Sequence, residues 1–169
     1  MKYMKSIYNA AVLLLIVSSF SFAQEKEMMK EKNMKQEEMN IKINQNMDGV
    51  AIKGYDPVAY FAEGKPVMGE KMYSCKWNGA LWQFSSKKHL NMFKETPDKY
   101  APQYGGFCAY GVSKNALFET DPLVWKIVDG KLYLNKNEEV AKLFKGNLKE
   151  SIMNAEMNWP KLNTIEKSN

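Results

Sequence analysis

The chain has 169 residues, 45% of them hydrophobic and 25% charged, and its 24 basic residues outnumber its 19 acidic residues by five. This composition is typical of one globular domain with additional segments, and it excludes a collagen, a wholly disordered chain and a polytopic membrane protein. So small a basic excess gives no electrostatic case for nucleic-acid binding. With only two Cys and one His, a multi-finger zinc protein is also excluded, because each structural zinc takes four ligands.

Residues 1–23 have the features of a secretory signal peptide. Lys2 and Lys5 precede an apolar run at 10–17, and Ser21 and Ala23 place small residues before a cleavage site. The apolar run is shorter than the ~20 residues that a membrane-spanning helix needs. We therefore predict a periplasmic or secreted mature protein with no stable membrane insertion after cleavage of the signal.

Residues 24–46 form a Met/Glu/Lys-rich segment that contains no aromatic residue, Gly or Pro. The segment carries little apolar surface, so we interpret it as a solvated linker that is dispensable for folding. Its methionines allow a second interpretation, because thioethers suit Cu(I) in an oxidising compartment. In this interpretation, Met28, Met29, Met34 and Met39 would form a segment that binds soft metal ions.

The folded domain is predicted over residues 47–162, followed by a tail at 163–169. Asn78-Gly79 and Asp129-Gly130 each lie between two runs rich in aromatic and β-branched residues, which favours two hairpins with type I′ turns. Residues 138–159 carry a helical apolar stripe. The pattern predicts an α+β fold, with a small, mostly antiparallel sheet built from the two hairpins, interleaved short helices and a C-terminal helical segment.

Local signals define the helix ends. Asp56 precedes Pro57, and this pair predicts an N-cap of a short helix that stops at Gly64, which explains Asp56 without any chemistry. A second helix is predicted to begin at Ser85 or Ser86 and to stop near Thr96-Pro97. The C-terminal helical stripe has a candidate interruption at Gly146.

Four parts of the sequence together resemble the secreted YHS-domain-containing proteins of bacteria. They are Gly54–Phe61, the run Phe93–Ala109 with its Tyr-Gly-Gly-Phe-Cys-Ala core, the hairpin Val128–Asn135, and Asn158-Trp159-Pro160. The resemblance implies a small domain related to metal-binding modules. The resemblance to metal-binding YHS modules implies a Cys-x-x-x-Cys pair at the corner between hairpin and helix. This chain departs from that pattern, because its residues 84–89 contain no Cys.

A metal site in this chain would therefore draw on Cys108, His89 and Cys75. Cu(I) accepts two or three soft ligands, so thiolate and imidazole with one methionine would suffice for copper or another transition metal. The candidate methionines are Met68, Met72 and Met92. Each of these residues also has an interpretation without metal. His89 would be a partly exposed surface imidazole, and Cys108 would be either a buried inert thiol or half of a disulfide with Cys75 that closes a loop of about 33 residues.

The second function class is a module without metal that binds a small molecule or a partner in a pocket. Tyr104, Gly105, Gly106 and Tyr110 are the candidate lining residues, because missing β-carbons let a ligand approach the backbone closely. A third class, a thiol enzyme with Cys108 as nucleophile and His89 as base, has the necessary groups. Enzymatic activity and the identity of any protein partner stay open, and a binding module, with or without metal, is favoured.

Overall fold

The computed structural model describes residues 42–164, together with the single positions Gln24 and Met28. The predicted signal peptide, the predicted linker up to residue 41 apart from those two positions, and residues 165–169 of the predicted tail lie outside the described residues. Within the part of the chain that is described, no helix is both long and apolar enough to cross a membrane.

The described chain alternates short helices with two β-hairpins, which confirms the α+β class. The elements in chain order are α1 (Ala59–Ala62), β1 (Glu70–Trp77), β2 (Ala80–Phe84), α2 (Lys87–Glu95), α3 (Pro97–Tyr100), α4 (Ala109–Ser113), β3 (Asp121–Val128), β4 (Lys131–Asn135), α5 (Glu138–Gly146) and α6 (Leu148–Leu162). Short 3₁₀ turns lie at Ile52–Gly54 and Gln103–Gly106.

Both predicted hairpins are confirmed. β1 pairs with β2 and β3 pairs with β4, each antiparallel. Asn78 and Gly79 have φ of 47° and 74°, and Asp129 and Gly130 have φ of 50° and 74°. Positive φ at both central residues is the requirement of a type I′ turn. The hairpins form two separate two-stranded sheets, a finer division than the single small sheet expected from the sequence.

The two turn glycines offer a test of the hairpins. A β-carbon at Gly79 or Gly130 would meet no atom within 4 Å, so a substitution there is opposed by backbone strain alone. We expect Gly79→Val and Gly130→Val each to lower the free energy of unfolding by about 1 kcal/mol or more in urea denaturation. Gly146→Val, in open space at the end of α5, is the control and should change it by less than about 0.5 kcal/mol. Unchanged stability in both turn variants would contradict the type I′ assignment.

Strand β4 separates two apolar cores. Leu132 and Leu134 pack into the first core with Trp82 and Phe84 of β2. Tyr133, which points to the opposite face because side chains alternate along a strand, packs into the second core with Phe144 of α5. Strand β4 therefore packs against β2 on one face and against α5 on the other.

The predicted helix signals are confirmed with small shifts. Asp56 accepts hydrogen bonds at Oδ1 from the backbone N–H groups of Val58 and Ala59, as an N-cap does. The Ser86 side chain caps α2 by accepting from the backbone N–H of His89. The C-terminal stripe is interrupted at Asn147, directly after Gly146, where α5 gives way to α6.

The C-terminal boundary of the predicted linker is wrong. Ile43 is buried in the first core, with 7% of its surface exposed. The backbone N–H of Asn44 donates to the Gly105 carbonyl at 2.9 Å, and the Asn44 side chain donates to the Gly106 carbonyl at 3.1 Å. The error has a physical reason: residues 42–44 gain their burial from distant residues, not from their own composition. Any linker therefore ends before residue 42.

Candidate functional site

The Gly-Gly turn accommodates the chain's own backbone. Tyr104, Gly105 and Gly106 all have positive φ, at 55°, 60° and 80°. A β-carbon on Gly105 would overlap the Lys42 carbonyl oxygen, and one on Gly106 would lie 2.9 Å from the Ile52 side chain. The sequence predicted that a ligand would occupy the space left by the two glycines. Residues 42–44 and Ile52 occupy that space instead, and Gly106 faces the protein interior.

Tyr110 also serves the fold in the described structure. Its backbone N–H donates to the Asn135 side-chain oxygen at 3.3 Å, and the Lys114 ammonium lies 5.3 Å from the centre of its ring. Tyr110 packs against the second core, together with Phe107. Of the four predicted pocket residues, only Tyr104 and Gly105 line the cavity described next.

A cavity of about 220 Å³ lies beside the Gly-Gly turn. It is partly open to solvent, and residues from β1, α3, the turn and α6 line it. The described residues that line it are Ile43, Trp77, Asp98, Ala101, Pro102, Gln103, Tyr104, Gly105 and Trp159. Aromatic residues from distant parts of the chain, Trp77 and Trp159, complete the lining in place of the predicted Gly106 and Tyr110.

Packing holds the three aromatic residues of the cavity in place. Trp77 contacts Trp82 and Phe93 edge-on, with ring centres 5.7 and 5.6 Å apart. Trp159 lies edge-on to Tyr104, with centres 5.9 Å apart. Such contacts restrict side-chain rotation, so the aromatic lining is formed before a ligand arrives.

Tyr104 has an unusual hydroxyl group. The residue is only 6% exposed, and its hydroxyl oxygen has no hydrogen-bond partner among the described residues. Burial, with smaller contributions from Tyr133 and Glu156, holds the pKa of the phenol far above its usual range. The hydroxyl therefore stays protonated and is available to donate a hydrogen bond.

The Cys108 thiol lies buried between the turn and β4. Only 1% of the residue is exposed, and Sγ lies 3.7 Å from the Asn135 side-chain oxygen, within range of a weak S–H hydrogen bond. The same oxygen accepts from the backbone of Tyr110. This arrangement uses Cys108 as a packed thiol that links the start of α4 to β4.

His89 is buried beside a carboxylate, so the interpretation of a partly exposed surface imidazole is wrong. Its exposed fraction is 7%, and its Nδ1 lies 2.6 Å from Asp56 Oδ2 and 3.2 Å from Ser85 Oγ. Ser85 donates to the same carboxylate oxygen from both its backbone N–H and its hydroxyl. Asp56 thus caps α1 and also ties it to the start of α2, a role that the N-cap interpretation missed.

Cys75 occupies β1 opposite Trp82 and is half-buried. Burial raises the pKa of its thiol above the ordinary value, and Lys94 offsets this only in part. A raised pKa disfavours the thiolate that acts as a nucleophile or a metal ligand. Both cysteines are free thiols in this structure, so the alternative of a Cys75–Cys108 disulfide is not realised.

The predicted metal ligands are not brought together in the described part of the chain. No three His, Cys, Asp or Glu side chains within it form a group that could hold a metal ion, so Cys75, His89 and Cys108 are not one cluster. Met68 and Met72 are exposed, and Met92 packs against the first core. The nucleophile and base proposed for a thiol enzyme have different hydrogen-bond partners. The His89 imidazole contacts Asp56, and the Cys108 thiol contacts Asn135.

Comparisons with protein-family models, with curated proteins and with solved structures each found no match to this chain. The resemblance to YHS-domain proteins therefore stays a prediction from the sequence motifs, and the function has to be argued from the cavity and its residues.

Proposed function

We propose that the protein is a module that binds a small molecule in the cavity beside the Gly-Gly turn, and that it acts in the periplasm or outside the cell. The observation that carries this proposal is the combination of a solvent-accessible cavity with a packed aromatic lining. Concave sites with mostly apolar walls and a few polar groups are the usual form of a ligand site.

The size and chemistry of the cavity limit its ligand. About 220 Å³ is below the roughly 300–1,000 Å³ of sites for drug-sized molecules, so the ligand is small. Ile43, Ala101 and Pro102 supply apolar walls, while Asp98 and Gln103 supply the polar side chains near the aromatic residues. A ligand with an apolar body and one polar group matches this lining.

A titration with a small neutral probe tests the proposal. The probe is the dimethylbutanol isomer that is a primary alcohol with a terminal tert-butyl group. We expect it to shift the amide signal of Gly105 and the indole N–H signals of Trp77 and Trp159 in a saturable way in NMR spectra. Gln103→Phe places a bulky side chain at the cavity wall and should weaken this binding at least tenfold. Gln45→Phe changes an exposed glutamine outside the cavity and should leave binding unchanged.

Two results would overturn the proposal. One is the lack of saturable shifts in these three signals at millimolar concentrations of both dimethylbutanol and choline, its quaternary ammonium analogue. The other is equal binding by the wild type and by a Gln103→Phe protein whose spectrum shows that it is folded. Copper binding stays a separate prediction from the sequence, although the described structure does not gather Cys108, His89 and Cys75 into one cluster. Chelator competition for Cu(I) under reducing conditions tests it, and Cys108→Ala should then remove most of the affinity.

A further inference from the structure

The cavity has a charge pattern as well as a shape. Asp98 is the one residue with a formal charge among the described residues that line it. Asp98 lies in α3 and is exposed, so its carboxylate stands at the solvent side of the cavity. A single acidic group at the mouth of an aromatic cavity favours a positively charged ligand over a neutral or negative one.

Two lysines adjacent in sequence to lining residues have contacts of their own. The Lys99 ammonium lies over the ring of Tyr100, 5.1 Å from its centre, and the Lys42 ammonium donates to the Leu162 carbonyl at 3.2 Å. Neither residue lines the cavity. Glu156 is paired with the Lys131 ammonium at 3.7 Å, so Asp98 is the acidic group on which the charge of the site depends.

The aromatic residues provide the complementary attraction. Trp77, Tyr104 and Trp159 all line the cavity and come from three separate parts of the fold, β1, the Gly-Gly turn and α6. The faces of Trp and Tyr rings attract cations within about 6 Å, most strongly for Trp, and several rings around one cation form the aromatic cage that binds quaternary ammonium groups. Two of the three rings here belong to Trp.

We propose that the ligand is a small organic ammonium cation, held by the rings of Trp77, Tyr104 and Trp159 and by the carboxylate of Asp98. This inference rests on the proposed function, since it names the ligand class of the same cavity. The apolar walls contact the methyl or methylene groups of the ligand, and the cationic group lies toward Asp98. No covalent step is involved.

A matched pair of probes separates charge from shape. Choline and dimethylbutanol have the same branched outline, but choline carries a quaternary nitrogen where dimethylbutanol has a carbon. We expect the wild-type protein to bind choline about tenfold more tightly, or better, in NMR titrations at low salt. Asp98→Asn should reduce this preference several-fold, while Asp48→Asn, which changes an exposed acid outside the cavity, should preserve it.

Each outcome decides between the two proposals. Equal affinity for both probes would overturn the cation assignment while leaving the binding module intact. A choline preference that Asp98→Asn does not reduce would also overturn the assignment of the carboxylate. If neither probe binds to a folded protein, both the ligand class and the proposed function fail.

Discussion

Replacing Asp56 with alanine is expected to lower the free energy of unfolding by about 3–5 kcal/mol, the largest effect of any single substitution that we predict. Asp56 is fully buried, and its carboxylate lies within hydrogen-bond distance of Val58, Ala59, Ser85 and His89. Removing it leaves buried hydrogen-bond donors in two helices without an acceptor. Each such donor costs about 1–3 kcal/mol, and local rearrangement of the structure recovers part of that cost. Urea denaturation followed by circular dichroism measures the loss.

Two further variants show whether the carboxylate itself is responsible. Ser85→Ala removes one hydroxyl donor and keeps the other contacts of Asp56, so we expect a loss of only about 1 kcal/mol. Asp48→Ala changes an exposed acid and should stay within about 0.5 kcal/mol of wild type. If Asp56→Ala lowers the free energy of unfolding by less than about 1 kcal/mol, the conclusion that Asp56 links α1 to α2 would be contradicted.

Gly105→Ala is expected to cost roughly 3 kcal/mol or more, because the new β-carbon overlaps the Lys42 carbonyl oxygen at a backbone of positive φ. The overlap would displace residues 42–44 and break the hydrogen bond from Asn44 to Gly105. The free energy of unfolding and the signal of the Ile43 methyl groups in NMR report the stability and the displacement, respectively.

Gly64→Ala isolates the backbone part of that cost. Gly64 has a φ of 66°, close to that of Gly105, but a β-carbon there meets no atom within 4 Å. We expect a loss of about 1 kcal/mol from backbone strain alone. Equal losses in Gly64→Ala and Gly105→Ala would mean that residues 42–44 do not press against the turn, and the wall of the cavity formed by Ile43 would be in the wrong place.

The parts of the fold that the sequence predicts well depend on neighbouring residues. Asn78-Gly79 and Asp129-Gly130 fix their turns through their own backbone preferences, and Asp56 with Pro57 fixes a helix start in the same local way. These signals need no knowledge of the rest of the chain. They were sufficient to predict the hairpins, the helix ends and the α+β class.

The site depends on contacts between distant residues, which a local pattern does not contain. Asp56 and His89 are 33 positions apart, and Asn44 and Gly106 are 62 positions apart. The Gly-Gly pair correctly indicated a close approach to the backbone, but the approaching group is the chain itself. An alternation of Ile and polar residues at 41–44 is a strand-like signal that the linker interpretation overlooked.

Asp98 and Trp159 are two of the cavity residues that the sequence did not predict, and they were missed for related reasons. Asp98 sits in a helical turn after Pro97, where an acidic residue is expected to favour the helix N-terminus, so nothing in its surroundings suggested a ligand. Trp159 belongs to the C-terminal helix, and its approach to Tyr104 appears only when α6 packs on the second core. A cavity assembled from separate helices and strands becomes visible only in the folded chain.

Intermolecular nuclear Overhauser effects from bound choline test the central claim most directly, because they locate the ligand. We expect contacts from the choline methyl protons to the indole rings of both Trp77 and Trp159, residues that the structure brings to the same cavity. Contacts to surface side chains outside the cavity, such as the exposed Phe118 or Leu123, without contacts to the two indoles would contradict it.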